Sequence, residues 1–203
     1  IGVMAGGTGG HVFPALAVAE ELRSRGARVF WIGTRRGMES RLVPDHGFDI
    51  DWVEIEGVRG KGLGQLLKAP VNLATALWQA GAILRRRRPA VVLGMGGFVS
   101  GPGGGGARRR GVPRVIHEQY LVAGKTKQML ARVATRVLEA FPGSFPAARG
   151  ALTSGNPVRR EILDLPAPRE RLQGRGGAAH LLVLGGSLGA RVLNETLPSA
   201  LKA

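Results

Sequence analysis

Two short stretches hold the residue types that could do chemistry. The first is Gly6-Gly7-Thr8-Gly9-Gly10-His11. Its glycines let the backbone approach a ligand closely and leave N–H groups pointing outward. A helix beginning behind them, near Val12 or Phe13, adds its positive end, so the turn suits an anion. His11 stands at the lip, where an imidazole could move a proton near neutral pH. A histidine at a helix start can also be a cap or a packing residue, and the stretch alone leaves both roles open. The second stretch is His117-Glu118-Gln119-Tyr120, which ends an apolar run and offers a carboxylate, Glu118.

Other chemistries fit less well. Gly7-Thr8-Gly9 is followed by Gly10, His11 and Val12, so the third glycine of the dinucleotide fingerprint is missing. No Gly-Lys-Ser/Thr completes a phosphate loop of the Walker type. Asp49-Ile50-Asp51 imitates a D-x-D metal motif, but alternation puts both carboxylates on one strand face, and a solvated face is the better reading. The four histidines show no metal-ligand spacing, and there are no cysteines, hence no disulfide or thiolate site.

The elements that must position these residues alternate. Strands are predicted over Ile1–Ala5, Ala27–Ile32, Phe48–Ile55, Val91–Met95, Arg114–His117 and Arg136–Ala140. Helices are predicted from Val12 to Gly26, over Met38–Val43 and Gln65–Arg87, and over Ala123–Ala134. This alternation implies an α/β domain with a parallel sheet. A second glycine loop, Gly94 and Gly96 to Gly106, follows a strand directly, at the edge where open parallel sheets bind ligands. His117 to Tyr120 end the next strand at that edge. Gly155-Asn156-Pro157-Val158-Arg159 reads as a boundary. Beyond it Leu181–Leu184 is predicted as a strand before Gly185-Gly186-Ser187-Leu188-Gly189-Ala190 and a helix, which repeats the opening turn. The expected organisation is a first domain over residues 1–154 and the start of a second over 155–203. One strand and one helix cannot bury a core of their own.

The 203 residues carry a net charge of +15, from 29 Lys and Arg against 14 Asp and Glu. From Gly57 to His117 there is no acid and there are eleven bases. Such a block meets an anionic partner or keeps the chain soluble. Aromatics are only 5%, which disfavours stacking on single-stranded nucleic acid. No apolar run reaches the roughly 18 residues of a membrane span, and no secretory leader opens the chain. The first residue is Ile, which fits a trimmed start. The helix over Gln65–Arg87 has two adjoining apolar stripes: Leu67, Val71, Ala74 and Trp78; and Leu66, Leu73, Leu77 and Leu84. It ends in Arg85 to Arg88. It is either a buried helix with a solvated cationic end, or an apolar arc, edged by Lys68 and Arg85, that rests on an anionic bilayer.

Taken together, the chain resembles the MurG family of peptidoglycan N-acetylglucosaminyltransferases. The resemblance rests on GGTGGHVFPALAVAEEL at Gly6–Leu22, Val58-Arg59-Gly60-Lys61-Gly62, LGMGGFVSGPGG at Leu93–Gly104 and VIHEQ at Val115–Gln119. AFPGSFP at Ala140–Pro146, GNPVR at Gly155–Arg159 and GGSLGARVLN at Gly185–Asn194 continue it along nearly the whole chain. It implies a GT-B fold of two Rossmann-like halves. It implies inverting transfer of GlcNAc from UDP-GlcNAc to the MurNAc 4-hydroxyl of undecaprenyl-linked lipid I, giving lipid II, without a metal or other cofactor. The alternative is a non-catalytic membrane or assembly module of the same fold. The resemblance makes His11 and Glu118 the candidate bases. It puts the donor near Thr8, Gly9, Gly10, Tyr120, Arg159 and Ser187. It sets the lipid pyrophosphate against Gly6, Gly7, Gly96, Gly97, Ser100, Gly103 and Gly104. Leu66, Lys68, Leu73, Leu77, Trp78 and Arg85 become a membrane patch. Partners would be an anionic membrane surface and other cell-wall synthesis and division proteins, on the cytoplasmic face of a bacterial inner membrane; no nucleic acid is expected. Tyr120 and Leu188 depart from the family's usual Asn and Gln beside the donor. With most of a second domain absent from the sequence, the 203 residues alone are expected to be inactive.

Overall fold

A computed structural model describes residues 1–55, 63–174, 176–177, 181–185 and 190–201, with the side chains of residues 63–68 left undescribed. The basic loop at 57–62, Ser187 and Leu188, and the side chains of Leu66 and Lys68 therefore lie outside the described residues. The chain divides into two compact units, Ile1–Arg160 and Glu161–Ala203.

The first unit is a seven-stranded, wholly parallel sheet in the order β3-β2-β1-β4-β5-β6-β7. The strands are β1 (Gly2–Ala5), β2 (Phe30–Gly33), β3 (Asp49–Trp52), β4 (Val92–Gly96), β5 (Arg114–Glu118), β6 (Arg136–Glu139) and β7 (Leu152–Thr153). The helices are α1 (Gly9–Ser24), α2 (Glu39–Asp45), α3 (Leu63–Arg87), α4 (Ser100–Arg109) and α5 (Lys125–Ala131). The α/β class and six of the seven predicted strands are present, with ends shifted by up to three residues. The order reverses between β1 and β4, so the crevice of a doubly wound sheet opens beyond their carboxyl ends. The β1–β4 register shifts between Met4 and Ala5, a bulge that re-aims the chain as it enters the first glycine turn.

Packing explains why these segments take these conformations. The central strands β1, β2 and β4 are apolar runs buried on both faces, as parallel sheets require. On one face α1 sets Val12, Ala15, Leu16 and Ala19 against Val3, Ala5, Trp31 and Met95. Trp31 is fully buried and donates its indole N–H to the Ala5 carbonyl at 2.8 Å. On the other face α3 sets Ala76, Ala80, Ile83 and Leu84 against Met4, Ile32 and Val92.

Several local expectations need correction. Helix α1 begins at Gly9, so His11 lies in its first turn and not ahead of it. The glycine run Gly103–Gly106 is no loop: it is the middle of α4. Gly103 is buried against Met4, and a Cβ on Gly104 would stand 2.7 Å from Leu130. Small residues let the helix lie close to β1 and α5, and that close packing overrides glycine's poor helix propensity. The second predicted stripe of α3 divides: Leu84 is buried, whereas Leu73 and Leu77 are exposed. The arginine end of α3 is not simply solvated. Arg86 binds Asp51 at 2.5 Å, and Arg87 binds Asp51 at 2.7 Å and Asp49 at 3.0 Å. The D-x-D pair is thus an anchor for the helix end, with Asp51 only 11% exposed. Strand β7 went unpredicted because two residues carry no periodicity.

In the second unit α6 (Arg160–Leu163) starts at the boundary, and α7 (Pro168–Arg171) and α8 (Arg191–Ala200) follow. The predicted strand at Leu181–Leu184 does not form: among the described residues that segment has no strand partner, and Leu182 and Leu184 are each 78% exposed. A strand needs a neighbour to complete its hydrogen bonds.

Candidate functional site

The carboxyl ends of β1, β4 and β5 converge on one place. Gly6 N–H donates to the Gly96 carbonyl at 3.3 Å, so the two glycine turns touch. Gly97, at φ +81°, lies directly against the Gly6 carbonyl, leaving no room for a Cβ. Gly96, at φ +128°, lies against the His11 ring. Here glycine is demanded twice, by a left-handed backbone and by close approach. Ser100 fastens the turns from below, bonded to the Met4 and Gly96 carbonyls at 3.2 and 2.9 Å and receiving Gly96 N–H at 3.1 Å.

The first turn is partly occupied. Gly7 N–H donates to Glu39 at 2.9 Å, and Glu39 also accepts from Thr34 N–H and its hydroxyl. Glu39 is fully buried under the turn. The N–H groups of Thr8, Gly9 and Gly10 have no partner among the described residues. They form the open, positive end of α1. Beside it, the Tyr120 hydroxyl sits against Gly10, and its ring meets His11 edge-on at 5.5 Å. Arg159 stacks over Phe13 of α1 at 4.7 Å, which brings an exposed guanidinium to the same helix start.

His11 is half-buried, with Nδ1 3.3 Å from Gln119 Oε1. Burial, and then the Lys127 ammonium, hold its pKa below the usual histidine value, against the pull of Gln119, Glu118 and the Met95 carbonyl. The ring is therefore neutral, and able to accept a proton, at neutral pH. His117 is 3% exposed; its pKa is also lowered by burial, while its contact with the Gly155 carbonyl opposes the shift.

Glu118 is not where the sequence suggests. It is 1% exposed, and its oxygens accept Gln119, Tyr120 and Gly124 N–H at 2.9, 3.1 and 3.2 Å and Lys127 Nζ at 2.9 Å. Four donors saturate the carboxylate, which holds the loop after β5 instead of facing an open cleft. Ser100, 1% exposed, and Gly103 and Gly104, inside α4, are likewise buried packing positions and do not line an open turn. Gly6, Gly7, Gly96, Gly97, Thr8, Gly9, Gly10, Tyr120, Arg159 and His11 do come together.

Sequence reasoning missed Glu39, Gln119 and Lys127. The signal for Lys127 was present: it stands four residues before Ala131 on the buried face of α5 and four after Ala123, which is buried just ahead of the helix. Nothing in the spacing distinguished Glu39 from an exposed acid at a helix start. Among the described residues no three His, Asp or Glu side chains gather to hold a metal.

A separate surface lies on α3. Val71, Leu73, Leu77 and Trp78 are exposed, Trp78 to 73%. A groove of about 740 Å³ runs between α3 and α4, lined by Ala74, Leu77 and Trp78 and edged by Arg85, Arg109 and Arg110. No described helix is long and apolar enough to cross a membrane.

A doubly wound parallel sheet with paired glycine turns and three open N–H groups at its switch point defines a class by its shape: an α/β domain whose crevice suits an anionic ligand. Residues 1–139 match the glycosyltransferase family 28 N-terminal domain, and the chain belongs to that family. It is 59% identical over 199 residues to a UDP-N-acetylglucosamine–N-acetylmuramyl-(pentapeptide) pyrophosphoryl-undecaprenol N-acetylglucosamine transferase of Nitrosococcus oceani, covering 98% of this chain and 55% of the relative. It is 58% identical over 196 residues to the protein of that name from Salmonella newport. The crystal structure of Acinetobacter baumannii MurG superposes with a TM-score of 0.81 at 43% identity, over 99% of this chain and 56% of the other. The chain spans about half the length of the curated relatives it matches.

Proposed function

We propose that this chain supplies the acceptor- and membrane-facing half of an inverting N-acetylglucosaminyltransferase that converts lipid I to lipid II. The observation that carries the reading is a neutral His11 beside three open N–H groups, in a chain so similar to transferases of that name. In the reaction the MurNAc 4-hydroxyl attacks the anomeric carbon of GlcNAc, and the bond from that carbon to the UDP oxygen breaks. UDP leaves with the electron pair, and His11 takes the hydroxyl proton as general base. Thr8, Gly9 and Gly10, at the positive end of α1, meet developing negative charge without having to reorganise. Arg159 is placed to add a full positive charge from the boundary. Glu118, saturated by four donors, serves as a scaffold for the site.

The membrane half of the proposal rests on α3. Exposed Leu73, Leu77 and Trp78, bordered by Arg85, form an apolar surface with a cationic rim. This favours the bilayer-facing role of the helix over the fully buried one. The donor half would lie beyond residue 160, in the segment that holds Ser187. The test is transfer of labelled GlcNAc from UDP-GlcNAc to a lipid I analogue by a full-length protein carrying this chain. Labelled lipid II is the expected product. Its absence, with both substrates bound, would leave the non-catalytic module as the function.

A further inference from the structure

The buried polar cluster behind His11 has a direction. Lys127 of α5 is 4% exposed and reaches two acceptors: Glu118 at 2.9 Å and the Gln119 Oε1 at 2.7 Å. An ammonium only donates, so the atom of the Gln119 amide facing it must be the oxygen. The other end of the amide agrees. Gln119 Nε2 lies 3.2 Å from the His117 carbonyl, which only accepts, and 3.1 Å from His117 Nδ1. With the amide fixed, both imidazoles are fixed. His11 Nδ1 faces the Gln119 oxygen at 3.3 Å and must carry a hydrogen, which leaves the lone pair on Nε2. His117 Nδ1 faces the amide NH₂ and must accept, so its hydrogen is on Nε2. There it meets the Gly155 carbonyl at 3.0 Å. The two rings are thereby held in opposite tautomers.

We propose that Lys127, held by Glu118, is a positioning residue: it orients the Gln119 amide, fixing His11 as the Nδ1–H tautomer with Nε2 free to accept a proton, and His117 as the Nε2–H tautomer that ties Gly155 to the site. The charge-assisted bond from Lys127 outweighs the neutral contact between Gln119 and the His117 carbonyl. The groups facing His11 are Lys127 from α5, Glu118 and Gln119 from the end of β5, the Met95 carbonyl of β4, which like the Gln119 oxygen accepts, and the Tyr120 ring. The idea rests on the proposed base role of His11, but its test does not involve turnover.

The test is the two-bond ¹H–¹⁵N correlation spectrum of the imidazoles in the ¹⁵N-labelled 203-residue chain, at a pH where both rings are neutral. The wild type is expected to show His11 as Nδ1–H and His117 as Nε2–H. Lys127→Met should release the amide, moving His11 to the Nε2–H form or to a mixture. Gln119→Glu keeps the shape and puts an oxygen opposite His117 Nδ1. His117 should then hold two protons at a pH where the wild type holds one, while His11 stays Nδ1–H. A wild-type His11 in the Nε2–H form would overturn the proposal. So would a folded Lys127→Met chain with both tautomers unchanged. If Lys127→Met does not fold, the wild-type and Gln119→Glu spectra decide. A transferase that is active with the wrong His11 tautomer contradicts this inference alone. The stated tautomers in a protein whose His11→Asn variant is fully active contradict only the base role.

Discussion

At the scale of the residue, the site is governed by who donates and who accepts. His11 and Glu118 look alike in the sequence, as two proton acceptors near the carboxyl edge of the sheet. Burial separates them. Glu118 is surrounded by donors and holds a loop, whereas His11 is half-buried, neutral, and retains a free lone pair. That neutrality has a consequence for stability. His11 and His117 both have folded-state pKa values below the ordinary one. The folded state then binds fewer protons than the unfolded chain once the pH drops below about 6.5. Their stabilising effect is therefore complete above about 6.5, is lost as pH falls toward the lowered folded values, and levels off below them. Thermal unfolding of the chain should show a lower midpoint at pH 5.5 than at pH 7.5, with a shallower fall for His11→Asn. A midpoint independent of pH across that interval would contradict the burial of both rings. Residue types announced the glycines and His11. They did not announce Lys127 or Glu39, because a buried charge is defined by its partners, and those come from elements far away in sequence.

At the scale of the element, the glycines divide into two kinds. Gly96 and Gly97 sit in left-handed backbone where two turns touch, while Gly103 and Gly104 allow α4 to approach β1 and α5. Gly97→Ala meets both the unfavourable φ and the Gly6 carbonyl, and should cost about 2 kcal/mol or more. Gly101→Ala is the contrast: its Cβ would be 3.5 Å from Thr126, an ordinary contact, and it should stabilise α4 by about 0.5–1 kcal/mol. Denaturant melts of the two variants check this, and equal midpoints would refute it. Most of the sheet was legible because Ile1–Ala5 and Val91–Met95 are apolar runs between turn signals. Helix α4 was not, since a run of four glycines carries no helical signal until a sheet packs beneath it. The strand expected at Leu181–Leu184 failed for the converse reason: its pattern is right, but no strand among the described residues pairs with it.

At the scale of the whole molecule, the question is what the charge and the open face of α3 are for. Arg86 and Arg87 are committed to Asp49 and Asp51, so the basic rim of the apolar surface comes from Arg85, Arg109 and Arg110. Near an anionic bilayer each such residue contributes about 1 kcal/mol. The chain should sediment with anionic vesicles and not with neutral ones, should be released by salt, and should bind less well as Trp78→Glu. Equal binding to both vesicle types, unchanged by salt, would remove the electrostatic part of that account. The central claim, however, is the chemistry at His11. It is tested most directly by steady-state transfer of labelled GlcNAc to saturating lipid I, comparing a full-length protein carrying this chain with its His11→Asn variant. The account predicts a fall in kcat of about a hundredfold to ten-thousandfold, the range typical for loss of a general base, with KM for lipid I little changed. A His11→Asn enzyme that keeps the wild-type kcat would contradict it.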